Sequence, residues 1–377
     1  MGEEPMLYRD PCVYLVEDAY QIVFNMEEKG IAWVEIGGEC WRDSRGGLMR
    51  SETLVHRVTV PRAALDAAGA YTVCFRALPE RRPYFPELGP EERYSYRFQP
   101  APETGALRIL LMADTHSMVE EPAAAAAAAG DFDLLALCGD IPAESKQLSD
   151  IRAIFDVTSG VTHGEKPVIF AQGNHDYRGR LATELGDYVG RRDGCSWYTF
   201  RIGLVWCVVL DCGEDKADTN PEYGGLVDCH SMRLQETAWL RDVAARAEET
   251  CLVPGITTRL AFCHVPFMTE DVCIDVYPDP EQNRATFDIE RDIYREWTEI
   301  LTGMGVNAML CGHTHALSLT RPGDPDARYG MGFPVLVGAE QNGPGLYRCA
   351  LLTLQDGHMT AQIASSDGSL TDWAAVF

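Results

Sequence analysis

Three observations predict an α/β protein with an all-β domain in front of it. From Leu107 onward, short apolar runs alternate with stretches of helical pattern, the order of a βαβ core with buried parallel strands. Residues 1–104 hold only short β-rich runs parted by turns, with no helical period. Between the two lies "QPAPETGA", whose Pro and Gly read as a linker. The chain is therefore divided into a β domain at residues 1–104 and a second domain at 105–377.

In the first domain the runs are "CVYLVEDAYQIVFNM", "IAWVEIGGEC", "ETLVHRVTV", "AYTVCFRA" and "RYSYRFQP", separated by "EEKG", "SRGG" and "DAAG". Short strands at this spacing predict an immunoglobulin- or fibronectin-like sandwich. The second domain opens with "LRILLMAD", apolar almost throughout, as a strand buried on both faces must be. "EPAAAAAAAG" follows as a helix, with Pro122 placed to start it and Gly130 to end it. Next come the strand "DLLALCGD", the helix "ESKQLSDIRAIFDVTSGV" and the strand "KPVIFAQGNHD". "CSWYTFRIGLVWCVVLDCG" reads as two antiparallel strands and "SMRLQETAWLRDVAARAEE" as an amphipathic helix. "TRLAFCHVPF" and "NAMLCGHTH" are further strand-then-loop units, and the tail reads as strands with hairpin turns. No internal repeat is present.

Composition narrows the partners. A formal charge of −25 over 377 residues repels nucleic acid and anionic lipid, and no Lys/Arg stripe offers a phosphate track. Neither nucleic acid nor membrane is expected as a partner; the oligomeric state is left open. The 13 cysteines sit mostly inside apolar runs without a CxxC pair, so they read as small buried hydrophobes in a reducing, cytoplasmic compartment. The acidic start "MGEEPMLYRD" lacks the apolar core of a signal peptide, and no stretch of 18 apolar residues predicts a membrane span.

The chemistry lies where the strands end. Five apolar runs stop on metal-capable residues: "MADTH" with Asp114 and His116, "LCGD" with Asp140, "GNHD" with Asn174, His175 and Asp176, "FCH" with His264, and "CGHTH" with His313 and His315. Parallel strands carry their C-terminal ends on one edge, and ligands bind there. Each unit alone has a plainer reading: Asp114 as a helix cap, Gly139-Asp140 and Gly173-Asn174 as turns, His264 as a core histidine. Yet five of the nine histidines fall in these units, which capping does not explain. Asp and His suit Zn, Fe, Mn or similar ions, and a carboxylate can bridge two of them where imidazole cannot.

The ordered set Asp114-Thr115-His116, Gly139-Asp140, Gly173-Asn174-His175-Asp176, His264 and Gly312-His313-Thr314-His315 resembles the calcineurin-like metallophosphoesterases over residues 106–355. The β-sandwich in front resembles the layout of purple acid phosphatases. The resemblance implies a four-layer αββα catalytic domain and two divalent or trivalent metal ions. It assigns Asp114, His116 and His315 to one ion, Asn174, His264 and His313 to the other, and Asp140 as the bridge. It implies hydrolysis of a small phosphomonoester or phosphodiester by in-line attack of a metal-bridging hydroxide. His175 then stands near the leaving oxygen as general acid or hydrogen-bond donor, with Asp176 orienting it or raising its pKa. The sequence departs from the purple enzymes at Ala143, where they carry a ligating tyrosine, and Cys263 replaces the glycine many members have before the ligand histidine.

Around this set, Asp211 reads as a cap or buttress and "GEDKADTNPEYGG" as a loop over the pocket rim. Tyr177 and Arg178, just beyond the His175 unit, read as substrate contacts, with a salt bridge on a helix face an equal reading for the arginine, and "MTEDVCIDVYPDPEQNRATFD" reads as a loop able to select the leaving group. The competing functions are a metal-stabilised scaffold without catalysis and a nuclease; the acidic balance disfavours the second.

Overall fold

A computed structural model describes residues 5–192, 194–269, 289–341 and 345–377. Two large sheets lie at its centre. The first has ten strands, and its middle is Leu107–Met112, Leu134–Leu137 and Pro167–Phe170, mutually parallel. These four- to six-residue runs are buried almost without exception, which is why their sequences show no polar alternation. On one side the sheet continues through Tyr347–Gln355, His358–Ser365 and Leu370–Ala375, all antiparallel. The second sheet has six strands, with Val205–Val209, Thr258–Phe262, Ala308–Cys311 and Val335–Val337 parallel. Tyr198–Ile202 pairs antiparallel with Val205–Val209, as expected.

The second sheet shows how the layers are built. Cys207, Val209, Phe262 and Leu310 join the core of the first sheet, while Trp206, Val208, Ala261 and Met309 join a separate core. Alternate residues thus face the other sheet or the outer helices. That outer core also holds Leu240 and Val243 of helix Cys229–Ala245 and Trp297 and Leu301 of helix Arg291–Gly303. Helices Glu120–Ala129 and Leu148–Thr162 cover the first sheet. The helix–sheet–sheet–helix sandwich is the expected four-layer arrangement. The alanine helix ends at Gly130 as read from the sequence. Helix Leu148–Thr162 starts where the Asp150 side chain accepts the Gln147 N–H at 3.0 Å.

The N-terminal region is all-β apart from the short helix Arg62–Ala68. Two of its sheets stand alone: Glu39–Arg42, Gly30–Ile36, Ala70–Ala77 and Glu92–Arg97, and the two-stranded Ser44–Arg45 with Leu48–Met49. The third does not. Strand Cys12–Val16 pairs in parallel with Pro167–Phe170, Val13 opposite Pro167, and carries Ala19–Asn25 and Val55–Pro61 with it. The sandwich therefore shares a sheet with the α/β domain. Among the described residues no helix is long and apolar enough to cross a membrane, and the described cysteines are free thiols. The proposed selecting loop falls, beyond Thr269, outside the described residues.

Candidate metal centre

The strand ends of both sheets meet at one edge, and each motif is a tight turn there. Strand Leu107–Met112 delivers Asp114 and His116, Leu134–Leu137 delivers Asp140, and Pro167–Phe170 delivers Asn174 and His175. The second sheet brings His264 after Thr258–Phe262, and His313 and His315 after Ala308–Cys311. Asp114, His116, Asp140, His313 and His315 all have positive φ, between 44° and 75°. They are five of the twelve such non-glycine residues described. L-residues rarely adopt this conformation, and strain of this kind collects at functional sites. The glycines allow close approach: a Cβ on Gly139 would lie 2.6 Å from both Gly173 Cα and His264 Nδ1. One on Gly173 would lie 2.2 Å from Asp140 Oδ1.

The seven predicted ligands converge in two groups. In one, His116 Nε2 is 3.0 Å from His315 Nε2, and Asp114 Oδ1 is 3.4 Å from His315 Nε2. In the other, Asn174 Oδ1 is 3.1 Å from His264 Nε2 and 3.0 Å from His313 Nδ1. Asp140 lies between them: its Oδ2 is 3.2 Å from His264 Nε2 and 4.0 Å from His116 Nε2. Asp114, Asp140 and His264 also cluster directly.

Neighbours fix the orientation of these groups. His264 donates Nδ1–H to the Cys138 carbonyl at 2.6 Å, which turns Nε2 inward as the free nitrogen. The Tyr347 hydroxyl donates to the Ala113 carbonyl at 2.7 Å and accepts the Ala113 N–H at 3.1 Å, seating the strand end before Asp114. Asp114 accepts the His313 N–H at 2.8 Å, and Asp140 accepts the His175 N–H at 2.8 Å.

The electrostatics follow from burial. Burial pushes Asp114 up to about 7, with the Asp140 charge adding to the rise. Burial also opposes charge on Asp140, but His264 outweighs it and holds that carboxyl well below the usual range. Burial lowers His116 to about 4 and His313 to about 3, and it lowers His315 as well. These are neutral imidazoles with lone pairs to give. Burial disfavours charge on His264 too, yet Asp140 and Asp114 raise it to about 10. Its inward nitrogen faces two oxygen acceptors, so it needs a cation, either a proton or a metal ion. The donors therefore fit a pair of metal ions: neutral nitrogens, one amide oxygen, and carboxylates placed against both groups.

His175 borders the centre. Its Nε2 is 4.0 Å from Asp140 Oδ2, and its ring stands 4.6 Å from that of His116. Nδ1–H is donated to the Ala143 carbonyl at 2.8 Å. Asp176 does not make the expected contact with His175. It is fully buried, and its Oδ2 accepts the backbone N–H of Gly173 at 2.8 Å and of Asp140 at 3.4 Å. The cause is the 3₁₀ turn His175–Tyr177, which sends successive side chains about a third of a revolution apart. Asp176 braces the two turns, and the Ala143 carbonyl takes the role expected of it.

Three further residues belong to the surroundings. Asp211 buttresses the site: its Oδ2 accepts from the Tyr177 hydroxyl at 2.7 Å and from Ser196, and its Oδ1 accepts the Gly213 N–H at 2.7 Å. Cys263 is fully buried, and its Sγ lies 3.3 Å from that of Cys212. Sequence reading missed Glu214, whose carboxylate grips Arg178; no local pattern links residues 36 positions apart.

A two-metal site at the mouth of a four-layer α/β sandwich defines the class. The calcineurin-like phosphoesterase model matches residues 107–317, more than half of the chain, and the chain belongs to that family. It is similar to the serine/threonine-protein phosphatase CPPED1 of Pongo abelii, 22% identical over 186 residues, covering 48% of this chain. The chain spans about half, 52%, of that curated relative. In fold it is similar to the purple acid phosphatase PPD1 of yellow lupin, Lupinus luteus, with TM-score 0.59 and 12% identity. That match covers 96% of this chain and 73% of the other. It is also similar to PhoD, with TM-score 0.57 and 11% identity over 100% of this chain and 94% of the other. Both solved structures carry a likeness of the whole architecture, the N-terminal β domain included.

Proposed function

We propose that this chain hydrolyses small phosphate esters, with Asp114, His116, His315, Asn174, His264, His313 and Asp140 holding two metal ions and His175 serving the leaving group. The observation that carries the reading is the convergence of those seven side chains into two groups with Asp140 between them. Bound there, the metal pair would draw charge from the phosphoryl oxygens and lower the pKa of water.

The chain's own residues supply the rest. In the reaction, water adds oxygen to phosphorus, the P–O bond to the alcohol breaks, and the alcohol leaves with a proton. With Nδ1–H committed to Ala143, His175 has Nε2 as its working nitrogen. That atom lies 4.0 Å from Asp140 Oδ2 and accepts an N–H from Arg178 at 3.0 Å, so it can exchange a proton with the leaving group once that hydrogen bond is released. Asp176 acts as a positioning residue by holding the Gly173 and Asp140 turns together.

The charge of −25 favours small esters over polyanions. The free cysteines support a reducing, cytoplasmic setting. The division at residue 104 is kept as a boundary in the chain, with one sheet shared across it. The test is a phosphate-release screen of Mn-, Zn- and Fe-reconstituted protein on mono- and diesters, with Asp140→Asn and His175→Ala alongside. Two bound metals without turnover on any ester refutes hydrolysis in favour of a metal-stabilised scaffold. Full activity in both variants refutes the assignment of residues.

A further inference from the structure

Arg178 follows the His175 turn, and its guanidinium is fixed on three sides. Nε donates to Glu214 Oε1 and Nη2 to Glu214 Oε2, both at 2.9 Å. This two-pronged grip holds the plane of the group. The Glu214 side chain is 0% exposed and that of Arg178 24% exposed, so a buried anion anchors a partly exposed cation. Nη2 also lies 3.5 Å from Asp215, which Lys216 balances at 3.1 Å. The remaining nitrogen, Nη1, donates to His175 Nε2 at 3.0 Å. It therefore reaches the side of the centre through His175, whose Nε2 is 4.0 Å from Asp140 Oδ2. Among the described residues, the second hydrogen on Nη1 has no acceptor.

We propose that Arg178, clamped by Glu214, is the subsite for the third terminal oxygen of a phosphomonoester, and so makes this a monoesterase site. The inference rests on the hydrolytic reading above. A phosphomonoester carries three non-bridging oxygens and up to two negative charges; a diester carries two and one. A metal pair held by the seven side chains would neutralise part of that charge. The third oxygen of a monoester is charged and calls for an N–H donor beside the centre, where Nη1 stands. In a diester that position is an uncharged alkoxy oxygen, which gains little from a guanidinium. In a chain this acidic, a fixed cation at the rim is also what lets a dianion approach.

The experiment uses the full metal-reconstituted chain as wild type, Arg178→Ala and Arg178→Lys. It measures kcat/KM for p-nitrophenyl phosphate and bis(p-nitrophenyl) phosphate, and calorimetric affinity for inorganic phosphate. A charge-assisted hydrogen bond corresponds to about 10- to 100-fold. The Ala variant should lose that much on the monoester and in phosphate affinity, and the monoester-to-diester ratio should fall at least tenfold. Lys should recover part of the phosphate affinity, having the charge without the fork. Equal losses on both esters overturn the proposal, because Arg178 then acts only by holding His175. Unchanged phosphate affinity in the Ala variant overturns it as well. If wild type binds two metals but turns over neither ester, the hydrolytic reading fails, and the phosphate titration still decides on Arg178.

Discussion

Gly173→Ala adds a single methyl group at the closest contact of the centre. That carbon would sit 2.2 Å from Asp140 Oδ1 and 2.5 Å from the Asp140 backbone nitrogen. Ordinary contact begins at 3.4 Å, so the two turns must part by about 1.2 Å. Asp140 cannot swing aside freely, because Oδ1 is held by the His175 N–H at 2.8 Å. The displacement passes to the carboxylate between the two ligand groups, and a 1 Å misplacement costs on the order of 100-fold in rate. Overpacking of this kind also destabilises the fold by about 1–3 kcal/mol. Gly173 is not in the left-handed region, so the loss measures contact and not backbone strain. The assay is metal content by plasma emission together with kcat/KM on p-nitrophenyl phosphate. Gly160→Ala is the control. It lies inside helix Leu148–Thr162, where the new carbon meets Ala123 Cβ at 3.6 Å. There the same substitution should stabilise by about 0.5–1 kcal/mol. A Gly173→Ala protein with two metals and activity within threefold of wild type would refute the reasoning.

Trp297→Ala should destabilise by about 3–5 kcal/mol in urea unfolding, since Trp297 is fully buried against Phe267 and Tyr294 and donates Nε1–H to Thr237 at 2.7 Å. A loss below 1 kcal/mol would show that the outer helices are not tied through it. Glu236 gives a pH prediction. Burial, then the Asp211 charge, raises its carboxyl well above 4.5, and its Oε2 has no hydrogen-bond partner. An acid raised on folding contributes stability that is fully present below about 4.5 and is lost as pH rises through the folded value, at about 1.4 kcal/mol per pH unit. Glu236→Gln should remove that slope, so variant and wild-type stabilities diverge in favour of the variant with rising pH; parallel curves from pH 4 to 8 would refute it. His175→Ala should lower kcat by about 10²–10⁴ while both metals stay bound; a kcat within threefold of wild type excludes its proton-transfer role.

The centre was legible because its residues sit at fixed places in the chain order, each just after a buried strand. That Asp114, Asp140, Asn174, His264 and His313 would meet needed only the rule that parallel strands end on one edge; their assignment to two ions comes from the family resemblance. What surrounds them was not legible. The grip of Glu214 on Arg178, the Asp176 brace and the Ala143 carbonyl depend on where turns aim side chains, which no spacing encodes. Helix Arg291–Gly303 went unread although Ile293, Tyr294, Trp297 and Leu301 share one buried face, because Glu290 before it makes no side-chain cap and gives no start signal. The pairing of Cys12–Val16 with Pro167–Phe170 escaped for another reason. A parallel partner leaves no mark in local sequence, and the run "CVYLV" suits a sandwich equally well.

That pairing has a temporal side. Val13 meets Pro167, 154 residues later in the chain. At about 5–20 residues per second, synthesis takes roughly 8–30 s to cover that interval. Throughout it, the edge of Cys12–Val16 that Pro167–Phe170 covers in the folded chain lacks that partner, and an uncovered apolar edge is the kind that recruits other strands. Strand Cys12–Val16 thus waits for a distant neighbour, and the turn that carries Asn174 and His175 follows directly from the strand that receives it. A chain folded without that pairing would leave the Pro167–Phe170 edge of the sheet open beside the turn of Asn174 and His175.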